Sequence, residues 1–292
     1  MQSEEFEFTT SRRVRAADFK SKWLIERAEE LFEPVKYHRK LWEYAAICQV
    51  YKERIHYERV YYLQDPATLD IVSPAHVLGF GVGREPLPAW FSAQKSANVI
   101  ATDKSSTTSN KDWIKTKQHA DGFMQLTRLP NTVESEFSER VLYQSVDMSR
   151  IPDDLLRGEF DFTWSCSSFE HIGGIEKGLD FFCNQMKCLR PGGVAVHTTE
   201  FDCSYELGSP SPALDTVNLC LFRITDLRRL EERLRLQGDL LVALDPYVDK
   251  LHPADLFIDR EPYTHSPYHL NIAIGEYVTT SIILIAIRGG VK

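Results

Sequence analysis

Two polar pairs in the sequence combine the residue types needed to move a proton. Glu170 is followed by His171, and His197 is followed by Glu200 three positions later. Histidine titrates near neutral pH and suits a general base, and a carboxylate can orient it or take the proton itself. These residues are therefore candidates for removing a proton from a hydroxyl group. Simpler roles are also open, since His171 could brace a helix start and His197 could bond to backbone groups at a strand end.

The second pair also raises the alternative of a metal site. His197, Glu200 and Asp202 could ligate a divalent ion that grips a diol. Tight ligand spacing is missing, however, and none of the six cysteines forms a C-x-x-C pair. We therefore predict no metal, and we interpret the cysteines as buried or free thiols in a reducing compartment.

A glycine-rich stretch earlier in the chain could bind a nucleotide. Gly79, Gly81 and Gly83 alternate in "VLGFGVG", and Asp103 closes "VIATD" 20 residues after the last of them. Glycines can adopt positive φ and let a ligand approach the backbone, and the start of a following helix offers free N–H groups. A carboxylate at the end of the next strand can accept hydrogen bonds from a ribose diol. The stretch predicts a nucleotide-like cofactor.

A further acidic residue follows a third strand candidate. Asp147 and Met148 lie in "SVDMSRIP". The carboxylate could accept a hydrogen bond from an adenine amino group, and the flexible thioether could pack against the ring. This pair favours an adenine-containing cofactor.

The elements between these residues must position them. Short apolar runs without polar alternation begin near residue 75, as buried strands of a parallel sheet do. They are "AHVLGF", "ANVIAT", "RVLYQS", "FDFTWS" and "GVAVHT". Amphipathic stretches between them predict helices over 88–95, 111–118, 177–189 and 225–237. The alternation predicts a doubly wound α/β sheet with right-handed crossovers.

The C-terminal part completes this sheet. "LLVALD" predicts a sixth strand and "YVTTSIILIAI" a last one, with "HLNIAIGE" as its hairpin partner. A long loop over 246–267 separates them, and long loops are often functional. The aromatic and polar residues of this region that could face an acceptor are His252, Asp255, Tyr263, His265, Tyr268 and His269.

Residues 1–70 have a different pattern. Apolar residues recur at helical spacing from Phe19 to Leu31, Pro34 interrupts them, and a second helical run includes Leu41, Ala45 and Cys48. We predict a helical extension that forms a lid or covers one end of the sheet. Its aromatic residues Trp23, Trp42 and Tyr44 are predicted core.

The succession of these motifs, together with "FDFTWSCSSFEHI" and "CLRPGGVAVHTTEF", resembles the class I S-adenosylmethionine-dependent methyltransferases over residues 77–288. The family's sheet has seven strands, the last of them antiparallel and inserted beside the fifth. The resemblance therefore implies an α/β, Rossmann-like, doubly wound seven-stranded sheet over 71–292. The helical N-terminal extension precedes it, and an acceptor-loop insertion lies at about 246–276.

The resemblance also implies roles for individual residues. Gly81 and Gly83 would line the methionine part of S-adenosylmethionine, Asp103 would hold its ribose, and Asp147 with Met148 its adenine. Ser165, which ends the fourth strand, would lie beneath the cofactor.

The sequence departs from the family at two positions. An Asp or Glu usually stands where this chain has Gly79, and a third glycine stands where it has Glu85. Both stay among the predicted cofactor-binding residues, and Glu85 could take over contact with the cofactor's amino group.

The composition of the chain argues against two classes of binding partner, nucleic acids and membranes. The formal net charge of −8 argues against a nucleic-acid partner, because phosphate contacts need clustered Lys and Arg. The N-terminus lacks the apolar run of a signal peptide, and no apolar stretch is long enough to span a bilayer. We expect a cytoplasmic protein and leave a homo-oligomer open.

We therefore predict a methyltransferase that acts on an oxygen of a small molecule, sugar or glycan precursor. The choice of oxygen rests on the abundance of possible bases and on the missing "NPPY"-type signature that the family's amino-group methylators of nucleic acids often carry. Two alternatives stay open, a non-catalytic methyltransferase-like binding module and a Rossmann NAD(P)-dependent oxidoreductase.

Overall fold

The computed structural model describes residues 6–56, 74–94, 97–105, 119–207, 211–249, 251–263 and 266–290. The predicted helix over 111–118, His265 and the end of the predicted N-terminal extension lie outside these ranges. None of the helices within them is long and apolar enough to cross a membrane.

The strands are named in chain order. They are β1 (Ser11–Arg12), β2 (Ala75–Phe80), β3 (Ala97–Asp103), β4 (Val141–Ser145), β5 (Phe160–Cys166), β6 (Leu189–Asp202), β7 (Leu240–Leu241), β8 (Leu244–Asp245), β9 (Ile258–Asp259), β10 (Asn271–Ile274) and β11 (Tyr277–Ile287). The α-helices are α1 (Lys22–Glu30), α2 (Arg39–Tyr51), α3 (Leu87–Ala93), α4 (Glu134–Arg140), α5 (Ile175–Gln185), α6 (Ile224–Gln237) and α7 (Pro253–Leu256).

The main sheet has the order β4-β3-β2-β5-β6-β11-β10-β9. The strands from β4 to β6 run parallel to one another, and β11 is antiparallel to both of its neighbours. The last strand is therefore inserted beside the fifth strand of the parallel set, as predicted.

Both faces of the sheet are covered, which explains the apolar runs. Every residue of β5 is buried. One face shares a core with α1 to α4, and the other shares a core with α5 and α6. Alternate residues of one strand therefore belong to two different cores.

The structure corrects the prediction that "LLVALD" forms the sixth strand of the sheet. "LLVALD" forms two short pieces, of which β7 pairs with the end of β11 and β8 pairs with β1. The strand that lies on the other side of β11 from β6 is β10, in the predicted hairpin with β11. Gly275 has φ +60°, a conformation that suits the tight turn of this hairpin. The hairpin keeps β10 beside β11 along its whole length.

The N-terminal segment belongs to the body of the protein. β1 pairs with β8, and Arg13 forms a bridge with Ile282 of β11. α2 packs on β5, β6 and β11. Trp23 and Trp42 are buried, which confirms them as core.

Candidate active site

A cavity of about 1000 Å³ opens at the carboxyl ends of the parallel strands. Its walls come from the glycine turn after β2, the end of β3, the segment after β4, the segment after β5 and the first turn of α2. Ligands of open α/β sheets bind at this edge. The segments that follow β2, β3 and β4 form one half of the cavity, which contains the predicted cofactor-binding residues. The segment after β5 and the first turn of α2 form the other half.

The glycine turn bends sharply at two positions. Gly81 has φ +59° and Gly83 has φ +49°. A Cβ at Gly81 would lie 2.9 Å from Ser168 Cβ and 3.2 Å from Met148 Sδ. Both glycines line the cavity, so the turn needs glycine for its backbone and for the close approach of its neighbours.

Asp103 ends β3 and lines the cavity beside this turn. Its carboxylate accepts from the backbone N–H of Lys104 at 2.8 Å and of Ala120 at 3.1 Å. Burial raises its pKa, although these bonds and the nearby His119 lower it. His119 is itself buried, and its Nδ1 lies 3.2 Å from an Asp103 carboxylate oxygen.

Asp147 and Met148 form the far wall of the cofactor half. The Asp147 carboxylate accepts from the backbone N–H of Ser149 at 2.9 Å and pairs with Lys104 Nζ at 2.9 Å. Burial would raise its pKa, but the bonds to Ser149 and Lys104 outweigh burial and lower it. The structure thus brings the glycine turn, Asp103 and this pair around one space.

His171 lines the other half of the cavity. Its Nδ1 lies 2.8 Å from the Asn218 carbonyl oxygen. A carbonyl only accepts, so Nδ1 carries the proton and Nε2 is the basic nitrogen. Burial lowers the pKa of His171, although the Asn218 bond opposes this. The ring is therefore neutral at pH 7 and able to accept a proton.

The side chain of Glu170 does not line the cavity, unlike that of His171. Its carboxyl group is fully buried and accepts from Thr199 Oγ1 at 3.1 Å. Burial and the nearby Glu200 raise its pKa to about 8.

Glu200 reaches the cavity as one partner of an ion pair. It bonds to the Arg39 guanidinium and accepts from Thr279 Oγ1 at 2.7 Å. Both members of the pair line the cavity and are largely buried. Glu200 therefore holds a cation at the cavity wall.

Lys40 and Tyr44 of α2 line the same wall. Lys40 Nζ lies 2.9 Å from Glu43 Oε2 and 3.6 Å from Cys166 Sγ. Tyr44, predicted as core, thus faces the cavity together with Cys166.

Glu43 organises this wall from behind. It is fully buried and accepts from Cys166 Sγ at 3.0 Å and Ser167 Oγ at 2.8 Å. It also accepts from Thr198 Oγ1 at 3.3 Å and from Ser281 Oγ. Burial alone would raise its pKa, but nearby Lys40, Arg39 and these bonds lower it to about 2.

The structure does not bring Ser165 or His197 to the cavity. The two are register partners on β5 and β6, and Ser165 Oγ lies 2.7 Å from His197 Nδ1. Both are fully buried, and Phe181 and Phe182 enclose the imidazole. Burial lowers the pKa of His197 to about 3. Both side chains therefore lie on the α5 side of the sheet, whereas the next residue of β5, Cys166, lines the cavity.

Gly79 also lies away from the cavity, inside β2. A Cβ there would lie 2.2 Å from the Trp164 indole. Glu85 does line the cavity, and its Oε1 accepts from Trp164 Nε1 at 2.6 Å.

The residues of the 246–276 region pack on the N-terminal segment. His252 caps α7 and stacks on Tyr37 with ring centroids 5.1 Å apart, and Tyr268 packs edge-on against Tyr37. His269 pairs with Asp259 at 2.7 Å.

Two more residues of this region bond to backbone groups. Asp255 accepts from the Ala16 N–H and Tyr263 donates to the Ala273 carbonyl. None of the described members of this group lines the cavity.

No metal-binding cluster of three or more His, Cys, Asp or Glu side chains is found in the described ranges. All six cysteines are free thiols.

The strand order and the position of the glycine turn decide the fold. Five parallel strands, an antiparallel strand beside the fifth, and a cavity at the glycine turn are the arrangement that the sequence resemblance implied. The chain has the class I methyltransferase fold.

No protein-family model and no curated protein matches the sequence. Solved methyltransferase structures align with the chain at low identity. One is CurJ carbon methyltransferase, with 13% identity and a TM-score of 0.45, covering 87% of this chain and 54% of that chain. This chain thus spans about half the length of that structure.

Two further solved structures are of similar size to this chain. The 1,6-didemethyltoxoflavin-N1-methyltransferase of Burkholderia thailandensis, bound to 1,6-didemethyltoxoflavin and S-adenosylhomocysteine, has 16% identity and a TM-score of 0.42, covering 85% and 90% of the two chains. The geranyl diphosphate C-methyltransferase of Streptomyces coelicolor A3(2), in complex with Mg²⁺, geranyl diphosphate and S-adenosylhomocysteine, has 16% identity and a TM-score of 0.44, covering 79% and 78%.

Two charged residues of the cavity wall that sequence reasoning missed, Arg39 and Lys40, come from α2. Together with Glu43 behind them, they lie in an amphipathic segment whose charges resemble an ordinary solvated face. A weak signal existed, since Glu43 lies between apolar residues that were predicted to be buried. His119 directly follows a stretch outside the described residues, and nothing in the sequence singled it out.

Proposed function

We propose that the protein is an S-adenosylmethionine-dependent methyltransferase that methylates an oxygen of a small-molecule or sugar acceptor. The observation that carries the proposal is the cavity at the glycine turn. Gly81 and Gly83, Asp103, and Asp147 with Met148 face one space from three successive strand ends.

The residues present fit this cofactor. Gly81 and Gly83 expose the backbone of the turn to the cavity without a side chain, which suits close approach of the extended methionine part. Asp103 is an acceptor for ribose hydroxyls, and Met148 provides an apolar surface for a base. When bound, S-adenosylmethionine supplies an electrophilic methyl group, whose C–S bond breaks as a C–O bond to the acceptor forms.

The other half of the cavity supports proton removal. His171 holds a basic Nε2 at the wall, and the acceptor's hydroxyl proton passes to that nitrogen. Arg39, fixed by Glu200, and Lys40, fixed by Glu43, supply donors that orient the acceptor and stabilise negative charge on its oxygen. Gly79, Ser165 and His197 support these walls from within the sheet.

Calorimetric titration tests the cofactor assignment. S-adenosylhomocysteine and NAD are titrated into the wild type and into Asp103→Ala. We expect binding of S-adenosylhomocysteine in the micromolar range, a loss of at least about tenfold in the variant, and no binding of NAD. Binding of NAD alone would indicate an oxidoreductase, and binding of neither would leave a non-catalytic module.

A further inference from the structure

We propose that Glu85, held by the Trp164 indole, has taken over the role of the missing strand-end acid at Gly79 and pairs with the ammonium group of the cofactor's methionine part, exchanging its own proton for that ion pair. This inference rests on the proposed function.

The first step is the space above Gly79. A side chain at this position would collide with the Trp164 ring, 2.2 Å away. The indole is fully buried and packs on Phe91 with ring centroids 4.7 Å apart. An acid therefore cannot occupy position 79 while Trp164 keeps this place.

The second step is the hydrogen bond that the indole makes. Trp164 Nε1 donates to Glu85 Oε1 at 2.6 Å. An indole N–H is a donor only, so it fixes one carboxyl oxygen and directs the other elsewhere. The Trp164 bond to Oε1 is the one side-chain hydrogen bond of Glu85 found among the described residues, and Glu85 lines the cavity together with Gly83.

The third step is the lack of a cation for this acid. No Lys or Arg in the described ranges forms an ion pair with Glu85, and Lys40, the cation whose charge acts on it, is paired with Glu43. A buried carboxylate without a cation is costly, so the group takes up a proton instead. Burial accordingly raises the pKa of Glu85 to about 8, opposed by the Trp164 bond and Lys40.

Other titratable groups surround Glu85 from three elements. They are Lys40, Glu43, Tyr44 and Cys48 of α2, Asp103 of β3 and Cys166 of β5. Glu43 is already ionised and paired, while burial raises the pKa of both thiols and of Tyr44. Glu85 is thus the group able to change charge when an ammonium ion enters. Its proton leaves to solvent, the ammonium keeps its own, and an ion pair forms.

The test compares two ligands. S-adenosylhomocysteine carries the amino-acid part, whereas 5′-methylthioadenosine has the same nucleoside and thioether without it. Both are titrated into the wild type and Glu85→Gln, a variant that keeps the shape and an acceptor for Trp164. We expect at least about tenfold weaker binding of S-adenosylhomocysteine to the variant and unchanged binding of 5′-methylthioadenosine.

The same titrations in two buffers of different ionisation enthalpy measure proton release. When the wild type binds S-adenosylhomocysteine at pH 7, it should release close to one proton, because the pKa of Glu85 lies above 7 before binding. Glu85→Gln should release none. Trp164→Phe keeps an aromatic side chain and removes the donor, so it should weaken binding of S-adenosylhomocysteine and leave binding of 5′-methylthioadenosine unchanged.

The outcomes separate the two proposals. If the wild type binds neither ligand, the proposed function fails. If it binds both and Glu85→Gln binds S-adenosylhomocysteine as tightly as wild type, or loses both ligands equally, the ammonium role of Glu85 is overturned while the cofactor site stands.

Discussion

The Glu43 carboxylate lies 2.9 Å from the Lys40 ammonium group, and donors from β5, β6 and β11 complete its shell. A helix near the start of the chain is thereby joined to the carboxyl-terminal parts of β5 and β6 and to the amino-terminal half of the antiparallel strand β11. The pair fixes Lys40 and the Cys166–Ser167 segment at the cavity wall.

We expect Glu43→Gln to destabilise the protein by about 3–5 kcal/mol, because Lys40 loses its charged partner and the remaining donors lose an acceptor. Thermal and urea unfolding measure this. Glu232→Gln, which alters an exposed pair with Arg235, is the matched control and should leave stability unchanged. An equally small effect of Glu43→Gln would show that the network does not hold the wall.

Substitution of His171 should lower turnover without loss of cofactor binding. We expect His171→Gln to reduce kcat by ~10²–10⁴-fold, the usual contribution of a general base. The pKa of His171 is lowered from the ordinary histidine value near 6.5. Wild-type activity should therefore increase with pH only in the range below 6.5 and should no longer change at pH 7. Product formation by mass spectrometry over a pH series measures both. A variant with the wild-type rate and profile would exclude His171 as the base.

Protonation of His197 should limit stability in acid. Its folded-state pKa of about 3 lies below the unfolded value, so the unfolded state binds more protons between these values. Stability is full above pH ~6.5 and falls by up to ~1.4 kcal/mol per pH unit below it. His197→Asn should flatten this fall in urea unfolding between pH 4 and 7. An unchanged slope would assign the acid sensitivity to other groups.

Gly81→Ala should impair cofactor binding more than folding. The new Cβ would strain a left-handed residue and press on Ser168 and Met148, at a cost of ~1–3 kcal/mol. Gly192→Ala is the control, because Gly192 has φ +79° with no atom near its Cβ position. Both variants should lose stability, but only Gly81→Ala should lose affinity for S-adenosylhomocysteine. Equal affinities would place the ligand away from the turn.

The cofactor half could be predicted because its signals are local. A glycine turn and a strand-end Asp103 depend on a few consecutive residues, and the structure brings both to the cavity. The alternation of side chains in a buried strand leaves no such signal. Ser165 and Cys166 are both buried, and nothing in "TWSCSS" tells which of them faces the cavity side.

The other half of the cavity depends on hydrogen-bonded pairs of residues that lie far apart in sequence. Glu43 bonds to Cys166 and Ser281, which lie 123 and 238 positions away. Such pairs become visible only when the sheet is assembled. The prediction of the sixth strand was wrong for a related reason. Both "LLVALD" and the segment of β10 are suitable for a strand, and a hairpin turn determines which of them pairs along β11.

The central place of β11 has a consequence for synthesis of the chain. Residues 277–287 pair with β6 along nine positions and with β10 along four. Until they leave the ribosome, β6 has an open hydrogen-bonding edge, and Glu43 lacks its Ser281 donor. Parallel strands made much earlier must therefore wait for this segment, exposed to the strand-edge association that leads to aggregation. Chaperone binding to the newly made chain should accordingly end when β11 pairs with β6.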